Sequence, residues 1–255
     1  MPQQYPSLRA RLRNGQPFLA PFSIIAATEI VELVALAGFD GIILDMEHGS
    51  YGTESLGPLV LAARARGIYP IVRVRNSEPS GIGAALDAGA AGVIVPQIGS
   101  SEEALIAVRA ARFAPDGNRG ANPFIRAADY SSRIAWFAEA NADTAILLMV
   151  EGAGGVAELP QILATPHLDG VFLGPMDLSH ALGVPGETGH PKVVETIESV
   201  IDATRASGIA SAIFAGSPEA ARRWLGRGVT LVGLGVDTTH ILAALKAAVG
   251  AVRSD

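Results

Sequence analysis

Eight short apolar runs, spaced along a chain of 255 residues, constrain this sequence more than any other feature. They cover residues 18–24, 41–44, 70–74, 92–95, 144–150, 170–173, 210–214 and 230–234 and are rich in Val, Ile and Leu. The runs are nearly continuous in apolar character, which suits strands covered on both faces in a parallel sheet. Alanine-rich stretches with helix signals separate them. Thr28-Glu29 opens one helix and Ala37-Gly38 closes it; Ser101-Glu102-Glu103 caps another; Ser217-Pro218 starts a third with proline in the first turn. Eight strands alternating with helices over this length predict a (β/α)8 TIM barrel, a single α/β domain spanning 1–255. An open doubly wound sheet is the alternative, weakened by the count and by the lack of Gly-x-Gly-x-x-Gly after the first run. The one long irregular stretch, 113–132, reads either as a lid or as a surface excursion.

Composition narrows the chemistry. The chain has no cysteine, which excludes disulfides, thiolate metal sites, iron–sulfur clusters and a cysteine nucleophile. Its formal charge is −6, without the basic stripe of a nucleic-acid binder. Mean hydropathy is positive, but the longest uncharged run, 14–28, contains Pro17 and Pro21 and is short of a membrane span. The first residues, with Arg9, Arg11 and Arg13, do not read as a signal peptide, so a cytoplasmic protein without a membrane partner is expected.

In such barrels chemistry gathers where the strands end. The second run ends in Asp45-Met46-Glu47-His48, the fifth in Glu151 and the sixth in Gly174-Pro175-Met176-Asp177. Glu151 and Asp177, from neighbouring strands, form a hard oxygen pair suited to Mg2+ or Mn2+; helix capping or pairing with arginine is the plainer alternative. His48 follows two acids on the rim, where an imidazole can act as a general base. Arg73 lies within an apolar run, where its charge needs a partner. It can serve a carboxylate or enolate oxygen, or form an internal salt bridge with a rim acid. Asp237 suits a turn and helix cap better than a phosphate site. The only two lysines, Lys192 and Lys246, fall on predicted helices, which argues against a Schiff base formed from a barrel strand.

The stretches Leu44-Asp45-Met46-Glu47-His48-Gly49, Val72-Arg73, Leu86-Asp87-Ala88-Gly89-Ala90, Pro115-Asp116-Gly117-Asn118-Arg119-Gly120, Val150-Glu151 and Gly174-Pro175-Met176-Asp177-Leu178-Ser179 resemble the HpcH/HpaI family of class II, metal-dependent pyruvate aldolases, in order and over nearly the whole chain. The resemblance implies Glu151 and Asp177 as ligands of a divalent metal ion (Mg2+, Mn2+ or Co2+). It implies His48 as catalytic base with Asp45 as its orienting acid, and Arg73 on the keto or enolate oxygen. Backbone amides around Gly174, Pro175 and Met176 would take the pyruvate carboxylate. Asp87 would stand near a neighbouring subunit's site in a homohexamer with exchanged helices. Two positions depart from the better-known members: Met149 stands where they have glutamine, and Phe22 where they often have tryptophan.

The expected reaction is addition of the enolate of pyruvate, or of a close 2-oxo acid, to an aldehyde, with cleavage of 4-hydroxy-2-oxo acids in reverse. An acyl-CoA carbon–carbon lyase on a related barrel and a non-catalytic 2-oxo-acid binding protein are the rivals.

Overall fold

The computed structural model describes residues 7–253. Strands β1 (Phe18–Ser23), β2 (Gly41–Asp45), β3 (Tyr69–Arg73), β4 (Gly92–Val95), β5 (Ala145–Val150), β6 (Gly170–Leu173), β7 (Ala210–Ala215) and β8 (Leu231–Val236) pair in sequence order, all parallel, and β8 closes on β1. The fold is the (β/α)8 barrel expected from the eight runs, whose boundaries shift by no more than two residues. Helix α1 (Leu8–Arg13) precedes β1. Around the sheet lie α2 (Thr28–Leu36), α3 (Leu56–Ala65), α4 (Pro79–Asp87), α5 (Ser101–Ala111), α6 (Trp136–Asp143), α7 (Ala153–Ala157), α8 (Leu159–Leu163), α9 (Pro175–Ala181), α10 (Pro191–Ala206), α11 (Pro218–Gly226) and α12 (Asp237–Arg253). Ser100, one residue earlier than expected, caps α5: its side chain accepts from the Glu103 N–H. Ser217 caps α11, with Pro218 in the first turn. Lys192 and Lys246 lie on α10 and α12. Among the described residues no helix is long and apolar enough to cross a membrane.

Strand alternation sorts the apolar residues into two sets. Ile42, Leu44, Val72, Val93, Ile146, Leu148 and Val171 face the helices in one core. Phe18, Phe22, Ile43, Ile71, Ile94, Leu147, Met149 and Phe172 fill the barrel itself. The same alternation puts Asp45, two beyond Ile43, Arg73, two beyond Ile71, and Glu151, two beyond Met149, on the inward side at the C-terminal end. The acids and the arginine thus converge because the strand period delivers them there.

The opposite end is closed by α1. Leu8 and Leu12 are buried against the barrel-filling residues. Arg9 donates from Nε to Asp169 at 2.6 Å, and Arg112, fully buried, donates from Nη2 to the other carboxylate oxygen at 2.5 Å. Arg112 also donates to the carbonyls of Asn141, Thr144 and His167. One buried carboxylate therefore ties α1, the end of α5 and the starts of β5 and β6 together.

The irregular stretch 113–132 leaves the C-terminal end of α5, so it lies at this same N-terminal end of the barrel. Arg119, its pivot, stacks 4.4 Å from the Phe113 ring centroid and pairs with Asp87 at 2.6 Å. A short 3-10 turn, Arg126–Ala128, packs Ala128 beside Phe113 and Trp136. The segment is an excursion on the face remote from its own strand ends; the lid reading fails for this chain's own rim.

Candidate active site

Arg73, at the end of β3, is the hub of the C-terminal mouth. Its Nε and Nη2 donate to the two oxygens of Asp45 at 2.8 and 2.6 Å. This bidentate fork fixes the guanidinium plane. Nη1 points the other way, 3.1 Å from Glu47 Oε2 and 4.0 Å from Met149 Sδ. The guanidinium carbon lies 4.8 Å from the Phe22 ring centroid, and Phe22 packs edge-on against Phe172 and Phe214. Burial works against the charge, but Asp45, Glu47 and Glu151 outweigh it and hold the Arg73 pKa above the ordinary arginine value. The salt-bridge alternative is therefore realised, with Asp45 on one side of the guanidinium and Glu47 on the other.

Asp45 does not orient His48 as the resemblance implied. Its oxygens serve Arg73 and the backbone N–H groups of Glu47 and His48, at 3.1 and 3.4 Å. Its role is to hold the guanidinium and the turn that carries His48, whose imidazole is exposed. The turn is tight: a side chain at Gly49 would collide with the Asp45 carbonyl and the Tyr51 ring. Tyr51 fastens its far end, donating to the Ser23 carbonyl at 2.8 Å. Asp237 accepts from Ser23 Oγ, Ile24 N and Ile25 N, locking β8 to the loop after β1 as a cap-like clamp.

Glu151 continues β5 into the mouth and is buried. Burial above all pushes its carboxyl up to about 7; the Gln97 N–H, donating to Oε1 at 2.9 Å, works against this, while Asp177 and Glu47 add to the rise. Gly174 leaves room for it: a Cβ there would lie 2.5 Å from Glu151 Oε2 and push the carboxylate aside. Asp177 sits exposed in the first turn of α9. Pro175 has no N–H, so the unpaired donors that a first helical turn offers come here from Met176 and Asp177.

Glu47, His48, Gln97, Glu151 and Asp177 line one open cavity of about 290 Å³. Among the described residues no three His, Asp or Glu side chains converge as a cation cage. Two carboxylates on a half-open cavity fit a cation that keeps water and substrate oxygens in its shell. The excess of acid around buried Glu151 fits it as well. Asp87 is not part of this rim: it lies at the opposite end of the barrel. Glu47 and Gln97 were not singled out from the sequence. Glu47 stood inside the quoted motif, but only the fold brings Gln97 beside it.

A family model described as HpcH/HpaI aldolase/citrate lyase matches residues 21–244. The chain belongs to the HpcH/HpaI aldolase/citrate lyase family. It is 35% identical over 229 residues to 5-keto-4-deoxy-D-glucarate aldolase of Salmonella paratyphi C, covering 90% of each chain. It is 34% identical over 242 residues to 4-hydroxy-2-oxo-heptane-1,7-dioate aldolase of Escherichia coli, covering 94% of this chain and 92% of that one. An HpcH/HpaI family protein of Burkholderia cenocepacia superposes with a TM-score of 0.92 at 36% identity, over 97% of this chain and 99% of the other. The citrate synthase SbnG superposes with a TM-score of 0.88 at 30% identity, over 97% of each. Membership makes this chain an aldolase-type carbon–carbon lyase.

Proposed function

We propose that this HpcH/HpaI protein is a divalent-metal-dependent aldolase that joins pyruvate, or a close 2-oxo acid, to an aldehyde and cleaves 4-hydroxy-2-oxo acids in reverse. The observation that carries this reading is the meeting of Glu151, Asp177 and His48 on one cavity. Glu151 and Asp177 would hold Mg2+, Mn2+ or Co2+. When bound, such an ion supplies Lewis acidity to the 2-oxo acid. The chain's own groups do the rest. The N–H groups of Met176 and Asp177 receive the donor carboxylate. Arg73, its plane fixed by Asp45, turns Nη1 toward the oxygen on which enolate charge develops. His48, at the cavity wall, removes the methyl proton and returns one to the new alkoxide. Neither lysine lines the cavity, in keeping with a reaction that needs no Schiff base.

The second class of reading, condensation of an acyl-CoA, is favoured only by the likeness to a citrate synthase, and acetyl-CoA in place of pyruvate as carbon donor, with a 2-oxo acid as acceptor, tests it. We assign the working state as a homohexamer in the cytoplasm. Leu242, Leu245, Val249 and Val252 form an exposed apolar stripe along α12 that supports burial against other copies. Asp87 would then serve a neighbour's site.

Chelation should abolish turnover, and Mg2+, Mn2+ or Co2+ should restore it. The upward shift of Glu151 sets the pH dependence. Binding must displace its proton below about pH 7, so apparent metal affinity should fall roughly tenfold per unit between pH 6.5 and 5. Calorimetric titration of Mn2+ over that range checks this. A flat profile, or full turnover in excess chelator, would contradict the proposal.

A further inference from the structure

Gln97 stands just past β4 at φ 58°, a left-handed conformation uncommon for a side chain of this kind. That turn lets one residue address two carboxylates. Its backbone N–H donates to Glu151 Oε1 at 2.9 Å, and its side-chain amide donates from Nε2 to Glu47 Oε1 at 2.8 Å. The other Glu47 oxygen faces Arg73 Nη1 at 3.1 Å. Both Glu47 oxygens are thus committed, although Glu47 lines the same cavity as Glu151 and Asp177. The inward position on β5, where the resemblance leads one to expect an amide, holds the thioether of Met149. The amide of this site comes instead from the adjoining strand end.

We infer that Gln97 is a positioning residue: its amide keeps Glu47 on Arg73 and off a cation held by Glu151 and Asp177. The inference rests on the metal-site reading above. Two tethers hold Glu47 against Arg73, and the Gln97 amide is the neutral one. Without it, one Glu47 oxygen is free to swing toward the cation, while Arg73 loses the partner that fixes Nη1. Metal binding then tightens as proton transfer slows, a combination that simple damage to the site does not produce.

The test is Mn2+ titration of the metal-free protein, with no substrate present. Gln97→Met keeps the backbone N–H to Glu151 and removes the amide. Its Mn2+ affinity should rise roughly three- to tenfold, as expected when a carboxylate joins the ligand set. Gln97→Asn, which tolerates the left-handed backbone but is too short to reach Glu47, should behave alike and covers the case in which the Met variant fails to fold. In Glu47→Gln/Gln97→Met the gain should vanish, because no carboxylate remains to swing. The rate of pyruvate methyl exchange in Gln97→Met should fall roughly 10- to 100-fold, with the loss in kcat rather than in KM. Unchanged Mn2+ affinity in Gln97→Met and Gln97→Asn, or a gain that survives Glu47→Gln, would overturn the inference. Wild-type protein that binds no Mn2+ would instead overturn the metal-site reading and this inference with it.

Discussion

Arg73→Ala should lose both catalysis and stability, and the two losses have different causes. In the proposed function the guanidinium supplies Nη1 toward the reacting oxygen, and removal of one such donor would cost roughly 10²- to 10³-fold in kcat. It also leaves Asp45, 2% exposed, as a buried carboxylate without its bidentate partner. Breaking a buried pair from one side costs about 3–5 kcal/mol. Thermal melting together with steady-state kinetics separates the effects. Arg73→Lys should recover part of the stability and little of the activity, because an ammonium cannot grip both Asp45 oxygens and still present a nitrogen to the opposite side. Wild-type kcat in Arg73→Lys would remove Arg73 from the oxyanion role.

The largest loss of stability without any direct effect on chemistry should come from Asp169→Asn. Asp169 faces Arg9 and Arg112, and Arg112 is fully buried. Neutralising the acid strands that guanidinium charge in the interior, with an expected cost of about 3–5 kcal/mol. For a chain of this size the midpoint of thermal unfolding should drop by on the order of 10 °C. Mn2+ affinity should stay unchanged, since the network lies at the opposite end of the barrel from Glu151 and Asp177. A shift under 2 °C would show that the carboxylate is not the keystone of that end.

The barrel was legible because parallel strands buried on both faces leave a plain record: each apolar run became one strand. The rim was legible in part. Residues that continue a strand, such as Arg73 and Glu151, have a facing fixed by alternation, so their convergence follows from the sequence. Loop residues lack that constraint. The turn after β2 folds the Asp45 carboxylate onto Arg73 and two backbone N–H groups, and no spacing rule foretells that it passes over the imidazole beside it. Gln97 escaped for a related reason: its role depends on a left-handed backbone just past a strand, where glutamine carries no signal for that conformation. The excursion at 113–132 was visible as a long loop, but its end of the barrel follows only from knowing that it starts where α5 stops.

In the proposed function a cation on Glu151 and Asp177, together with Arg73 and His48, makes the enolate of a 2-oxo acid. Deuterium exchange into the methyl group of pyruvate, followed by proton NMR with no aldehyde present, isolates that step. The wild-type protein should exchange only with added divalent metal and stop when it is chelated. His48→Ala at saturating metal should still bind pyruvate yet exchange roughly 10²- to 10⁴-fold more slowly, as removal of a general base requires. Exchange at the wild-type rate in His48→Ala, or undiminished exchange in excess chelator, would contradict it.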